Sequence, residues 1–231
     1  HDLGAGFEFE RLVGGVGVFG EVAGDFGFEM KSFPGYGGQT QCLKAEAIAE
    51  NWLNFLRLLE QASTQIDIAP EKLIFGSGLG IRYHEDDEAV HLDAVASRIQ
   101  PAIDRIKSDP RYSCSKLILE TGRFLVGEAG IYLTKVVHTK ESRGRRIVVL
   151  DGGMNHHLGA AGHLGMVIHR PYRMLVQRSH VQPSAEIEPQ DLYGPLCTTI
   201  DTFGKGVKLP LLHEGDVLGI HCSGAYGPSS S

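Results

Sequence analysis

The sequence holds no long apolar run, and no stretch approaches the roughly 20 apolar residues of a membrane-spanning helix. It has no basic segment followed by an apolar core at its start, so no secretory signal is visible. Cysteine is scarce. Cys42, Cys114, Cys197 and Cys222 lie far apart with no CxxC pair, which argues against a zinc ribbon or disulfide scaffold and for a reducing cytoplasm. Positive charge is short as well. Lys plus Arg number 22 against 28 Asp plus Glu, a net charge of −6, which argues against a generic nucleic-acid binder.

What is present is ordinary for a globular protein, with 42% hydrophobic and 22% charged residues in 231. That length makes one large domain or two small ones and buries about 70% of the unfolded surface. Glycine is the outlier at 30 residues, about twice its usual frequency, and 11 of them fall in the first 40 positions. Residues 1–39 show no clean period, although Val16–Phe19 has the composition of a short strand. The chain begins at His1, which reads as a processed or truncated start.

From Cys42 the pattern sharpens. Ile48, Trp52, Phe55, Leu56 and Leu59 share one helical face between Leu43 and Ala62. Lys72–Phe75 is a short apolar run that ends in GSGLG. Leu92, Val95, Ile99, Ala102 and Ile106 form a second stripe, and Lys116–Glu120 a second run that ends in Thr121-Gly122-Arg123. This alternation predicts parallel, doubly buried strands. Beyond about residue 127 the segments Ile131–Val137, Arg146–Leu150, Leu164–His169, Arg173–Gln177 and Asp216–Cys222 read as strands. Pro183–Pro189, Glu85–Glu88 and Arg143–Arg146 read as solvated loops. The expected class is α/β plus β. Residues 1–126 would be part of a (β/α)8 barrel and residues 127–231 a β-domain.

Both apolar runs of the first half lead into glycine, and parallel α/β folds bind ligands at strand carboxyl ends. Gly76, Ser77, Gly78 and Gly80 offer backbone N–H groups to a phosphate. Glu120 stands at a strand end, and Arg123 can hold a phosphate through paired N–H donors. Pyridoxal phosphate fits this combination, because its ring nitrogen needs an acidic partner. His156, His157, His163 and His169 match no compact zinc signature, so no metal is expected.

Taken in order, FGSGLGI, Glu120-TGRF, Asp151-GGMNH, Gly194-PLCT with Asp201, and Gly224-AYG resemble the fold-type III pyridoxal-phosphate decarboxylases, the diaminopimelate and ornithine group. The resemblance runs from about Cys42 to Tyr226. It implies a β/α barrel, a β-domain and a head-to-tail homodimer with shared active sites. It assigns the cofactor phosphate to Gly78, Gly80, Gly122 and Arg123, the ring nitrogen to Glu120, and a further cofactor contact to Tyr226. Cys197, contributed by the other subunit, would return a proton to the substrate carbon. Arg170, Tyr172, Thr198 and Asp201 would line the substrate pocket.

Three departures stand out. The family's Schiff-base lysine motif is missing, and Lys31 has the wrong neighbours. The segment Phe33–Gln39 lacks the histidine expected to stack on the cofactor. The chain also stops at Ser231 where relatives continue, so it is expected to be a fragment. An alternative is therefore a non-catalytic relative that keeps the fold and serves as a binding or regulatory partner. Thr198 follows the cysteine where the resemblance leads one to expect the acidic residue of diaminopimelate and ornithine enzymes, which meets the substrate's distal amine. With Arg170, and His169 when protonated, this leans towards a substrate whose far end is acidic, amidated or linked to a carrier protein. Diaminopimelate, which also has a distal carboxylate, remains open.

Overall fold

The computed structural model describes residues 22–23, 27–30, 41–66, 70–76, 78–164, 168–177 and 186–230. Lys31, Phe33–Gln39, Val16–Phe19 and Ser77 lie outside the described residues. The chain forms two compact units. The first comprises residues 1–80 and 88–121, the second 81–87 and 122–231. No helix among the described residues is long and apolar enough to cross a membrane.

The first unit is α/β. Strands β1 (Val22–Ala23), β2 (Gly27–Met30), β3 (Lys72–Gly76) and β4 (Lys116–Glu120) form one sheet in that order. β1 pairs antiparallel with β2, while β2, β3 and β4 run parallel. Helix α1 (Ala45–Ile66) and helix α2 (Leu92–Ser108) supply the crossovers. The five apolar residues read from the sequence are all buried on α1. Trp52 and Phe55 pack on Phe75 of β3, at ring-centroid separations of 5.6 and 5.0 Å. Each such fully buried side chain contributes about 1.5–3 kcal/mol. α2 buries Val95, Ala102 and Ile106, and it is tied to α1 by the exposed pairs Arg98–Glu46 and Arg105–Glu60. It ends before Asp109, whose carboxylate accepts from the Arg111 N–H as Pro110 turns the chain. Four strands leave this sheet open, so the described residues form no closed barrel.

The second unit is a six-stranded sheet in the order β7-β10-β5-β6-β8-β9. The strands are β5 (Tyr132–Ser142), β6 (Arg145–Leu150), β7 (Met174–Gln177), β8 (Ile187–Tyr193), β9 (Thr202–Pro210) and β10 (Val217–Ile220). Only β6 and β8 pair in parallel. The terminal strands of the order, β7 and β9, come into contact, so the sheet curls nearly into a barrel. Its core is built on Val136, Val148, Leu150, Leu192, Phe203 and Leu218. Ile81 and Tyr83 join this core, and a backbone bond from Arg173 N to Tyr83 O and a thiol bond from Cys222 Sγ to Arg82 O hold the segment there.

Three expectations need correction. Leu164, Ile168 and His169 are not in a strand. His169 is instead drawn inward, its Nε2 donating to Ala160 O. The segment read as a loop through Pro189 enters β8 at Ile187, because Pro189 and its neighbours register with β9. Arg143 and Gly144 do turn the chain, but Arg145 and Arg146 belong to β6. Arg145 pairs with the buried Asp191 at 2.7 Å, and Arg146 donates to Leu212 O and Thr139 Oγ1. Arg145 thus ties β6 to β8 and Arg146 ties β6 to the segment after β9, which a reading of local charge alone does not reveal.

Candidate functional site

In the first unit the parallel register places Gly76 of β3 opposite Glu120 of β4, so the two glycine-rich strand ends begin side by side. The Glu120 side chain is exposed there. The loop after Gly76 is held by Cys42, whose N–H donates to Gly78 O and whose carbonyl accepts from Gly80 N, each at 2.8 Å. Gly78 has φ +58°, in the left-handed region that favours glycine. A Cβ on Gly80 would meet Cys42 O at 2.8 Å. Gly80 therefore serves close backbone approach, and its N–H already donates within the loop.

In the second unit Gly122 opens the short helix α3 (Gly122–Val126). A Cβ there would meet nothing within 4 Å. The Arg123 guanidinium lies over the rings of Tyr226, at 4.8 Å from Cζ to centroid, and Tyr83, at 5.7 Å. Tyr83 packs in turn on Tyr172, the tilted rings 4.3 Å apart between centroids. Desolvation raises the pKa of both phenols, so both stay protonated at neutral pH.

The GAYG turn is fixed against the segment after α3. Ser223 N donates to Gly130 O, and Gly224 N to Gly127 O. A Cβ on Gly224 would collide with Val126 O at 1.8 Å, and one on Gly130 with Gly224 N at 2.5 Å. Two glycines pressed backbone to backbone thus set the distance from Tyr226 to Arg123. Tyr226 itself is held at φ +55°, where non-glycine residues are strained.

Asp201 joins two further motifs. It is 1% exposed. Its Oδ1 accepts from Met154 N at 2.6 Å and its Oδ2 from Leu196 N at 2.8 Å. A Cβ on Gly153 or Gly194 would strike this carboxylate, so both glycines exist to admit it. Asp201 therefore clamps the DGGMN loop to the GPLCT loop, and Cys197 sits exposed, in no disulfide, beside the clamped Leu196. Thr198 is likewise exposed, its N–H donating to Leu196 O.

Arg170 meets Asp86 at 2.6 Å and Asp87 at 3.5 Å, so its charge is shared with two carboxylates. Tyr172 is buried under Tyr83, with His157 against its ring edge. Burial lowers the pKa of His169 more than the Ala160 carbonyl raises it, so His169 supplies no cation at neutral pH. Burial likewise pushes His157 down to about 4. Its Nδ1 accepts from Ala160 N, and Nε2 donates to Ser223 Oγ at 2.9 Å. Among the described residues no group of three or more His, Cys, Asp or Glu is placed to hold a metal ion.

Sequence reasoning singled out Arg123 and Tyr226 and missed Tyr83, which joins them. No local signal marks that residue, since a tyrosine soon after a glycine loop reads as packing.

The family model for the C-terminal sheet domain of the pyridoxal-dependent decarboxylases matches residues 26–224. The chain is 31% identical over 193 residues to the L-glutamyl-(BtrI acyl-carrier protein) decarboxylase of Niallia circulans, covering 83% of this chain and 45% of that protein. It is 32% identical over 183 residues to the diaminopimelate decarboxylase of Zymomonas mobilis, covering 79% and 39%. The crystal structure of Helicobacter pylori diaminopimelate decarboxylase complexed with L-lysine superposes with a TM-score of 0.66 at 31% identity, covering 83% of this chain and 43% of that one. The chain thus spans less than half the length of these relatives.

Proposed function

The chain belongs to the pyridoxal-dependent decarboxylase family, and from that premise we propose that it forms part of an enzyme removing the α-carboxylate of an amino acid. Pyridoxal phosphate is the family's cofactor, and when bound it supplies the electron sink for the departing carboxylate's electrons. The residues present fit it. The observation that carries the reading is Arg123, a guanidinium set over two aromatic rings beside the open space at Gly122. That is the chemistry of a fixed phosphate ligand.

The roles follow residue by residue. Arg123, with the backbone of Gly76, Ser77, Gly78 and Gly122, binds phosphate. Tyr226 orients Arg123 and contacts the cofactor, and Gly80 shapes its loop. Glu120 holds a proton on the ring nitrogen. Cys197, on the loop clamped by Asp201, delivers a proton to the substrate carbon. The first unit completes a β/α barrel with further chain, and the protein works as a cytoplasmic homodimer in which Cys197 serves the neighbour's site. If so, mixing an inactive Glu120 variant with an inactive Cys197 variant restores part of the activity.

The substrate reading is an amino acid with an acidic, amidated or carrier-linked far end, or diaminopimelate. Thr198 offers a distal amine only a hydroxyl, and burying an unpaired ammonium is costly. Arg170 offers a carboxylate paired donors once it leaves Asp86. The similarity to an L-glutamyl carrier-protein decarboxylase and to diaminopimelate decarboxylases supports both options. The test uses full-length protein. Equilibrium dialysis with pyridoxal phosphate is expected to show binding that Arg123→Ala weakens about tenfold or more, as loss of a charged hydrogen bond implies. A competition assay then sets lysine, ornithine, meso-diaminopimelate, glutamate and a carrier-linked glutamyl thioester against one another. Absence of cofactor binding overturns the reading, and preference for lysine or ornithine overturns the substrate assignment.

A further inference from the structure

We propose that Tyr83 is a positioning residue for the cofactor phosphate, fixing the Arg123 guanidinium with its ring face while Tyr172 fixes Tyr83. The inference rests on the reading of Arg123 as a phosphate ligand and adds a residue to it.

Three observations carry it. First, Tyr83 is 5% exposed, so its ring cannot swing away from Arg123 without opening the core. Second, its rotation is restrained from both ends. Its carbonyl accepts from Arg173 N, and its ring lies 4.3 Å from that of Tyr172. Third, the other ring at Arg123, Tyr226, is 42% exposed and stands on a strained turn. Of the two aromatic faces, the buried one is the rigid reference. A guanidinium held over a ring face keeps its N–H groups in its own plane, the geometry suited to paired bonds with a phosphate. A guanidinium free to rotate would lose part of that binding to ordering entropy.

The two parts of Tyr83 are separable. The face acts on Arg123, and the hydroxyl takes no part in that contact. Tyr83→Phe keeps the face and removes only the hydroxyl, so it leaves cofactor affinity nearly intact. Tyr83→Leu keeps apolar bulk and removes the face. The experiment is equilibrium dialysis of pyridoxal phosphate against full-length wild type, Tyr83→Phe, Tyr83→Leu, Arg123→Ala and the Tyr83→Leu/Arg123→Ala double variant. Thermal unfolding of each is recorded alongside.

Tyr83→Leu is expected to weaken binding about 3- to 30-fold, the range of a partly desolvated cation–π contact. Tyr83→Phe is expected to stay within about twofold of wild type. In the Arg123→Ala background Tyr83→Leu is expected to have no further effect, because the residue acts through Arg123. If Tyr83→Leu does not fold, Tyr83→Met, equally without a ring and more adaptable, replaces it. Equal weakening with and without Arg123 would show a general packing role and overturn the inference. So would unchanged affinity in Tyr83→Leu while Arg123→Ala weakens binding. If Arg123→Ala itself changes nothing, the reading of Arg123 fails instead, and the two failures are distinct.

Discussion

The Cζ of Arg123 lies 4.8 Å from the ring centroid of Tyr226, although about a hundred residues of chain separate the two. The contact is set by backbone. Gly224 donates to Gly127 and leaves no room for a Cβ against Val126 O, so the turn carrying Tyr226 lies flush on the segment that follows Arg123.

Gly224→Ala is therefore expected to separate the two residues. The obstructing atom is a backbone carbonyl, which cannot turn aside. Stability should fall by about 1–3 kcal/mol, as overpacking does, and pyridoxal phosphate affinity should fall with it. Gly144→Ala is the control. It has φ +72° but open space, so its cost is about 1 kcal/mol of backbone strain with cofactor affinity unchanged. Thermal melts and equilibrium dialysis of both variants check this.

Asp201→Asn tests the clamp. The amide turns one acceptor into a donor facing either the Met154 or the Leu196 N–H. Losing a buried charged bond costs about 2 kcal/mol. Freed from its anchor, the loop should let the already exposed Cys197 reach an alkylating reagent severalfold faster, while Cys114 in the other unit keeps its rate. Peptide mass spectrometry of a labelling time course reads both.

Glu120→Gln separates binding from chemistry. If the carboxylate keeps a proton on the cofactor ring, the variant binds pyridoxal phosphate within a few fold of wild type but turns over at least about a hundredfold more slowly. Unchanged turnover would remove Glu120 from the site.

The buried His157 makes stability depend on pH. Its pKa in the folded protein is about 4, below the usual 6.5, because burial disfavours the cation. Above pH 6.5 both the folded and the unfolded forms are neutral and nothing is lost. Between pH 6.5 and 4 the unfolded chain takes up the proton first, so stability falls by up to about 3 kcal/mol as pH drops. Below about pH 4 the loss levels off. Urea unfolding at pH 7.5 and 4.5 should show this decline, and His157→Gln should remove most of it.

The sequence by itself determined the elements whose signal is local. The α1 stripe from Ile48 to Leu59, the runs Lys72–Phe75 and Lys116–Glu120, and the change from α/β to β all follow from the spacing of apolar residues. It also determined the candidate list, because glycines beside an acid, an arginine, a cysteine and a tyrosine recur in a family order. Tertiary structure alone decided how these residues meet. β8 was hidden because Pro189 and the acids beside it read as loop, and only pairing with β6 and β9 makes it a strand. Arg145 and Arg146 read as solvated charge until their partners, Asp191 of β8 and Leu212 O of the segment after β9, arrive from far along the chain. Asp201 read as a pocket residue, yet both its oxygens are engaged by backbone N–H groups from two separate loops. Tyr83 gained its place beside Arg123 only when the segment after the glycine loop folded into the second unit's core. In each case the deciding partner is distant in the chain, and a contact between distant residues leaves no period in the sequence.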